Sequence, residues 1–394
     1  MGKRILKIAL ITVTILLVVG AGVTWRAHAQ MEETIAQLRE DGHPVTLQDL
    51  KRDVPAEENA ATYLFPVAAE AEELYSRIYP FAHANMEDFD WKNGLTDEQV
   101  AKTAEGLDAF PRVLEALDKA AECRDSAWPM DFSKPFNEIS LEATKPMRQF
   151  ARLNDCRARY LLSLGKPDEA VAVYLQQLRL CRMQDKEPTL VLFLVNTACR
   201  SIAVSYLGQL MQAHDLSEAT HQAIEAELAL HDAMPGYVHA LRTEIPVGME
   251  SFQRLPVIGT KFANDYLRYV NEQIEIGAEE QFLYSQRKPP QVTGPAATLV
   301  PAIEASREAM NRIRALMRCL RILNKIHAGG YETGTPISPA ILGLPKACTI
   351  DPFSGKPLII NTTESGWTVY SVGRNLQDDG GDLKELADVG FGTH

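Results

Sequence analysis

The sequence predicts a mainly α-helical fold: a helical-hairpin bundle outside the cytoplasm, followed by a small C-terminal α+β module of one long helix and a β-hairpin. Three observations carry that expectation. Apolar residues recur at helical spacing through most of residues 96–327, short Gly and Pro breaks separate those runs, and a strand-like pattern begins only beyond residue 355. With 46% hydrophobic residues among 394, the chain has the apolar content of a globular protein, and its length suggests about two domains. A formal charge of −12 excludes a general nucleic-acid binder, because phosphate contact needs a basic footprint.

The first element is a membrane segment. Lys3, Arg4 and Lys7 precede an uncharged run over residues 8–25, which is long enough to cross a hydrocarbon core of about 30 Å as a helix. The basic N-terminal flank puts that end in the cytoplasm and the rest of the chain outside, as a single-pass cell-membrane protein. A cleaved signal peptide is the competing reading, since Ala27-His28-Ala29 is an A-x-A site with Gln30 after it, but the apolar run exceeds the usual ~7–15 residues of a signal core. Residues 31–75 then read as a short helix, a connector with Gly42, Pro44 and Pro55, and a second helix from about Glu57, with a net charge of −8.

Thr96-Asp97-Glu98-Gln99 has the form of a capping box, and Pro111 suits the first turn of the next helix. The helices expected at 147–163, 168–184 and 188–213 are joined by short breaks, which makes them antiparallel neighbours. The Leu-Gly-Lys-Pro-Asp-Glu-Ala passage between the first two resembles the turn of a tetratricopeptide repeat, without a second copy along the chain. Residues 190–211 are apolar around most of the circumference, so this helix reads as the buried centre and not as a second span, interrupted as it is by Asn196, Arg200 and Ser201. Further helices are expected near 216–232, 236–250 and 260–286. The Pro-rich stretch 289–300 closes the domain.

Beyond it, a helix runs to His327 and stops at Gly329-Gly330. Its apolar face holds Ile313, Leu316, Leu320 and Leu323, and a second face carries Arg307, Arg314, Arg318, Arg321 and Lys325. That basic stripe reads as a solvated face, or as a dock for the acidic 31–75 segment or for anionic headgroups. Residues 357–363 and 367–373 form a hairpin across Glu364-Ser365-Gly366, which must pack on the helix because two strands alone are marginal in water. The expected division is 1–30 anchor or signal, 31–288 helical domain, 289–300 linker, 301–382 α+β module and 383–394 tail.

The order of helix, Gly-rich break, Asp351-Pro352-Phe353-Ser354-Gly355-Lys356-Pro357, Tyr370-Ser371-Val372-Gly373 and Asp378-Asp379-Gly380-Gly381-Asp382 resembles the soluble half of type II secretion major pseudopilins over residues 306–382. The likeness implies a long helix on a small sheet and a closing loop that binds calcium. The residues themselves admit such a site at Asp378, Asp379 and Asp382, because calcium takes six to eight oxygens and two glycines let the backbone fold inward. They equally admit a solvated acidic turn. The whole chain also resembles a group of bacterial membrane-anchored envelope proteins that share Glu58-Asn59-Ala60-Ala61, Glu187-Pro188-Thr189-Leu190 and the D-P-F-S-G-K-P-L ending, a likeness that brings no activity with it.

No H-E-x-x-H or G-x-S-x-G occurs, and His214, His221, His231 and His239 are spaced unlike a helical zinc pair. Glu244 reads as a local ion pair with Arg242. Six cysteines in an exported chain permit disulfides. Helix register separates Cys156, Cys181 and Cys199 beyond disulfide reach, so they read as buried free thiols, and Cys319 with Cys348 is the leading candidate bridge. The sequence thus supports a non-catalytic envelope protein acting by binding or assembly with an unknown protein partner. The alternatives are an accessory part of a type II secretion or pilus-like machine, and an enzyme with a dispersed active site in the helical domain.

Overall fold

Helix starts fall where the local chemistry puts them. In the computed structural model, Thr96 accepts the Gln99 amide while Gln99 reaches back to the Thr96 amide at 2.9 Å, and Pro111 and Pro167 occupy first-turn positions where no amide is needed. The structure describes residues 2–83, 88–139, 143–253, 259–287, 292, 297–298, 300–363, 366–383 and 387–392. The expected linker and the hairpin tip at Glu364-Ser365 lie largely outside the described residues.

The chain is mainly helical, with a small sheet near its C-terminus. In order the helices are α1 (Gly2–Glu40), α2 (Ala60–Leu64), α3 (Ala68–Ala82), α4 (Asp97–Ala109), α5 (Pro111–Glu122), α6 (Thr144–Ser163), α7 (Pro167–Gln184), α8 (Leu190–Ala213), α9 (Glu218–Ala229), α10 (Pro235–Gln253), α11 (Gly259–Ile276), α12 (Gln281–Tyr284) and α13 (Val300–Ala328). The predicted 260–286 helix is therefore two pieces, broken at Gly277, which takes φ +63°. Helix α1 spans about 58 Å at 1.5 Å per residue. Its outer part docks on α11, burying Met31 and Leu38, and Asn264 donates to the Ala27 carbonyl at 2.9 Å.

Helices α6, α7 and α8 pack on one another, and α8 packs in turn on α13. Among the described residues, α8 is long and apolar enough to cross a membrane. More than half of its most apolar stretch is buried in the fold, and Arg200 in its middle is neutralised by Asp185 at 2.7 Å, as in a core helix. Cys156, Cys181 and Cys199 are buried free thiols here, as expected.

Strands β1 (Ile359–Thr363), β2 (Gly366–Ser371) and β3 (Val389–Phe391) form an antiparallel sheet in that order, with Ile359 opposite Tyr370 and Val369 opposite Phe391. The third strand was expected as tail; three residues are too few to show a period of two. The sheet packs on α13 and sends Phe391 against Gly208 of α8, so one apolar core runs from Met31 to Phe391. Asp351 staples the turn before β1 to β2: its carboxylate accepts from the Phe353 amide, Ser354 Oγ, Ser371 Oγ and the Val372 amide at 2.7–3.2 Å.

Two expectations about α13 fail. The basic stripe is buried, not solvated, and its partners lie outside 31–75. Arg318 grips Asp232 with two nitrogens and Glu280 with one, Arg321 pairs with Glu225, and Arg314 donates to the Asp232 and Ala278 carbonyls. Arg307 lies 4.1 Å from the Tyr284 ring centroid and 5.1 Å from that of Tyr237. The Cys319–Cys348 bridge is absent as well. Both thiols are free, and Cys348 sulfur accepts from Arg321 at 2.7 Å.

Candidate functional site

A cleft lies where segment 51–55, segment 125–132, the α7–α8 loop and α10 meet. Each wall is placed by a local device. Asn59 caps α2 through the Ala61 amide and also clamps Ala127 at both its amide and its carbonyl, at 2.9 and 3.1 Å, holding segment 125–128 extended. Arg52 crosses behind it, donating to the Ser126 and Lys186 carbonyls and pairing with Asp125, which also takes Lys186. The cations and the Ser126 amide hold the Asp125 carboxyl below the usual carboxylate range despite its partial burial.

One lobe of about 500 Å³ opens between Val54, Asn59, Trp128, Met130 and Glu187. Glu187 is buried in its wall; one carboxyl oxygen accepts from Ser126 Oγ at 2.8 Å and the Trp128 amide at 3.2 Å, and the other has no partner among the described residues. The Trp128 indole N–H is likewise unpaired. Burial pushes Glu187 up to about 7, against the opposing pull of Ser126 and Arg52.

The second lobe, about 510 Å³, shares Leu50, Arg52 and Pro188 with the first and adds Arg39, His43, His239 and Arg242. Between the lobes, Thr189 adopts φ +78°, ψ 149°, a conformation that costs a β-branched residue roughly 1–3 kcal/mol. It is held there by a 2.8 Å bond from its amide to Thr243 Oγ1. Glu244, next to Thr243, accepts from the Leu190 amide at 2.7 Å and is pushed up to about 7 by desolvation. The expected ion pair with Arg242 does not form, because the Glu244 carboxylate is committed to the start of α8.

The cleft thus joins the two quoted sequence runs, Glu58-Asn59-Ala60-Ala61 and Glu187-Pro188-Thr189-Leu190, across segment 125–128. Sequence reasoning missed this meeting, since nothing in either run points to the other.

The acidic closing loop is arranged differently. Asp378 accepts from Tyr370 OH at 2.9 Å and from the Gly380 amide, Asp379 accepts from Asn375, and the Gly381 amide goes to Asp388. Among the described residues, no group of three or more His, Cys, Asp or Glu side chains is placed to hold a metal ion. The four expected non-ligand histidines are dispersed: His214 meets the Trp91 carbonyl, His221 meets Asn324, His231 meets Glu227, and His239 lines the cleft.

These features define a mainly helical protein with a two-lobed cleft of mixed polar and apolar lining. No protein family, characterised protein or solved structure matches the chain in comparisons with known proteins.

Proposed function

We propose that this chain is a membrane-anchored extracytoplasmic binding protein whose ligand site is the cleft around Glu187 and Arg52. The carrying observation is Glu187 itself: a buried carboxyl with one oxygen unpaired, poised near neutral pH, in the wall of a cavity of small-molecule size. The strained Thr189 beside it fits a loop shaped for a ligand and not for stability. The anchor reading draws support from α1, which passes without a break through residues 27–30 and is clasped there by Asn264, whereas a protease needs an extended strand to cut. The antiparallel packing of α6 on α7 supports the helical-hairpin reading. Burial of α13 leaves it no broad free face for packing in a filament, which favours a binding protein over a pilus-like component.

Glu187, near 7 in the wall of a cavity, also favours a second reading as an enzyme that uses it as general acid or base. One experiment serves both. The full chain in detergent is screened by thermal shift against sugars, amino acids, short peptides and phosphorylated small molecules, alongside Met130→Trp, which fills the first lobe. A ligand that stabilises the native chain and loses its effect in Met130→Trp supports the cleft. Turnover of that ligand, abolished in Glu187→Gln, selects the enzyme. Ligands that ignore Met130→Trp, or no ligand at all, overturn the site.

A further inference from the structure

The second lobe is lined mostly by basic side chains among its ionisable groups. In a chain of net charge −12, its walls gather Arg39, Arg52, Arg242, His43 and His239. Arg52 is spent on Asp125 and two carbonyls. Arg39 and Arg242 are different: both are exposed, and neither has a carboxylate within ion-pair distance among the described residues. The one carboxylate in the lining, Asp49, accepts the Val45 and Thr46 amides through one oxygen and feels Arg39, but lies beyond ion-pair distance of either arginine.

His43 is held below its ordinary value first by burial and then by Arg242; His239 is held down by burial, then by Arg52 and Arg242. Positive charge therefore converges on one cavity of about 510 Å³, with two guanidiniums free to make paired hydrogen bonds.

We propose that this lobe binds the anionic group, phosphate or carboxylate, of a soluble small molecule. The inference rests on reading the cleft as a ligand site and adds the chemistry of what enters it. A headgroup of the anchoring bilayer is out of reach: Arg39 follows Trp25 by 14 residues, about 21 Å along an unbroken helix. The bound group would sit between Arg39 and Arg242, with the remainder of the molecule extending past Arg52 toward Glu187.

The test is calorimetric titration of the full chain in neutral-lipid nanodiscs with inorganic phosphate, glycerol 3-phosphate and citrate at constant ionic strength. Binding of at least one is expected, weakened about ten-fold or more by Arg39→Gln or Arg242→Gln. Arg268→Gln, which removes an exposed arginine on α11 paired with Asp265, should leave it unchanged. Nanodiscs containing phosphatidylglycerol should bind the probes equally; loss of binding there would assign the lobe to lipid and overturn the proposal. Absence of binding by all three anions, or equal weakening by all three variants, overturns it too. If the anions fail while a neutral ligand from the thermal screen binds and is lost in Met130→Trp, this inference falls and the cleft reading stands; if neither binds, both fall.

Discussion

At the scale of single residues, the sharpest consequence concerns Glu187. A carboxyl whose folded value is raised from 4.5 to about 7 resists ionisation in the native state only. Its penalty is absent below the unfolded value, grows as pH rises from 4.5 to about 7, and is complete above that, where it amounts to roughly 3 kcal/mol. Glu187→Gln, which keeps an acceptor for Ser126 and the Trp128 amide, should therefore raise the melting temperature at pH 8 and leave it nearly unchanged at pH 4. Thermal melts across that range check the sign: a variant less stable than the native chain at pH 8 would show that the ionised carboxylate is favoured by its site. Glu244 is raised to the same range, but it stands on α10 and spends its carboxylate on the Leu190 amide, so the two carboxyls should contribute separately, and the double variant should be near additive.

At the scale of elements, two contacts hold the C-terminal part to the helices. A Cβ on Gly208 would lie 2.3 Å from the ring of Phe391, which is itself buried, so neither α8 nor β3 can yield without shifting the sheet. Gly208→Ala should cost about 1–3 kcal/mol and loosen β3 first, read as faster amide exchange at 389–391. Arg318 binds Asp232 and Glu280 from a position 2% exposed. Arg318→Met should cost about 3 kcal/mol by leaving two carboxylates unpaired, and Asp232→Asn in the same chain should restore part of it, measured by chemical denaturation. These contacts also show what the sequence could and could not disclose. The starts of α4, α5 and α7 were legible because caps and first-turn prolines act within four residues. The fate of the α13 arginines was not, because a stripe at helical spacing looks the same solvated or buried, and the acids that claim it are 38 to 96 residues away. The cleft was hidden for the same reason: Asn59 and Glu187 lie 128 residues apart, and nothing near either points to their shared partner, segment 125–128. Glu244 beside Arg242 suggested an ion pair by adjacency, and the Leu190 amide, 54 residues away, won the carboxylate.

At the scale of the whole molecule, α1 is both the expected anchor and part of the fold. Residues 8–25 are the expected span, and from Ala27 onward the same helix is bound to α11, bearing Arg39 and ending next to His43 in the basic lobe. If residues 8–25 span the membrane, a continuous helix transmits orientation, and the cleft would stand at a fixed height of about 21 Å above the outer interface and would not swing on a tether. This makes the fate of the Ala27-His28-Ala29 site decisive for function and not only for location. If the helix is retained, the mature chain remains in the membrane pellet after alkaline carbonate extraction and its N-terminal peptide lies upstream of Gln30. Release by carbonate together with a peptide beginning at Gln30 would free the domain and remove the Ala27 carbonyl from Asn264. Inserting three residues between Met31 and Leu38 offers a finer check. On a retained helix it shifts Met31 and Leu38 out of register with each other, so both cannot stay buried on α11, and it should break the α1–α11 seam and lower the melting temperature by several degrees while leaving membrane retention intact. If stability is unchanged, the anchor and the domain are mechanically independent, and the fixed height assigned to the cleft is wrong.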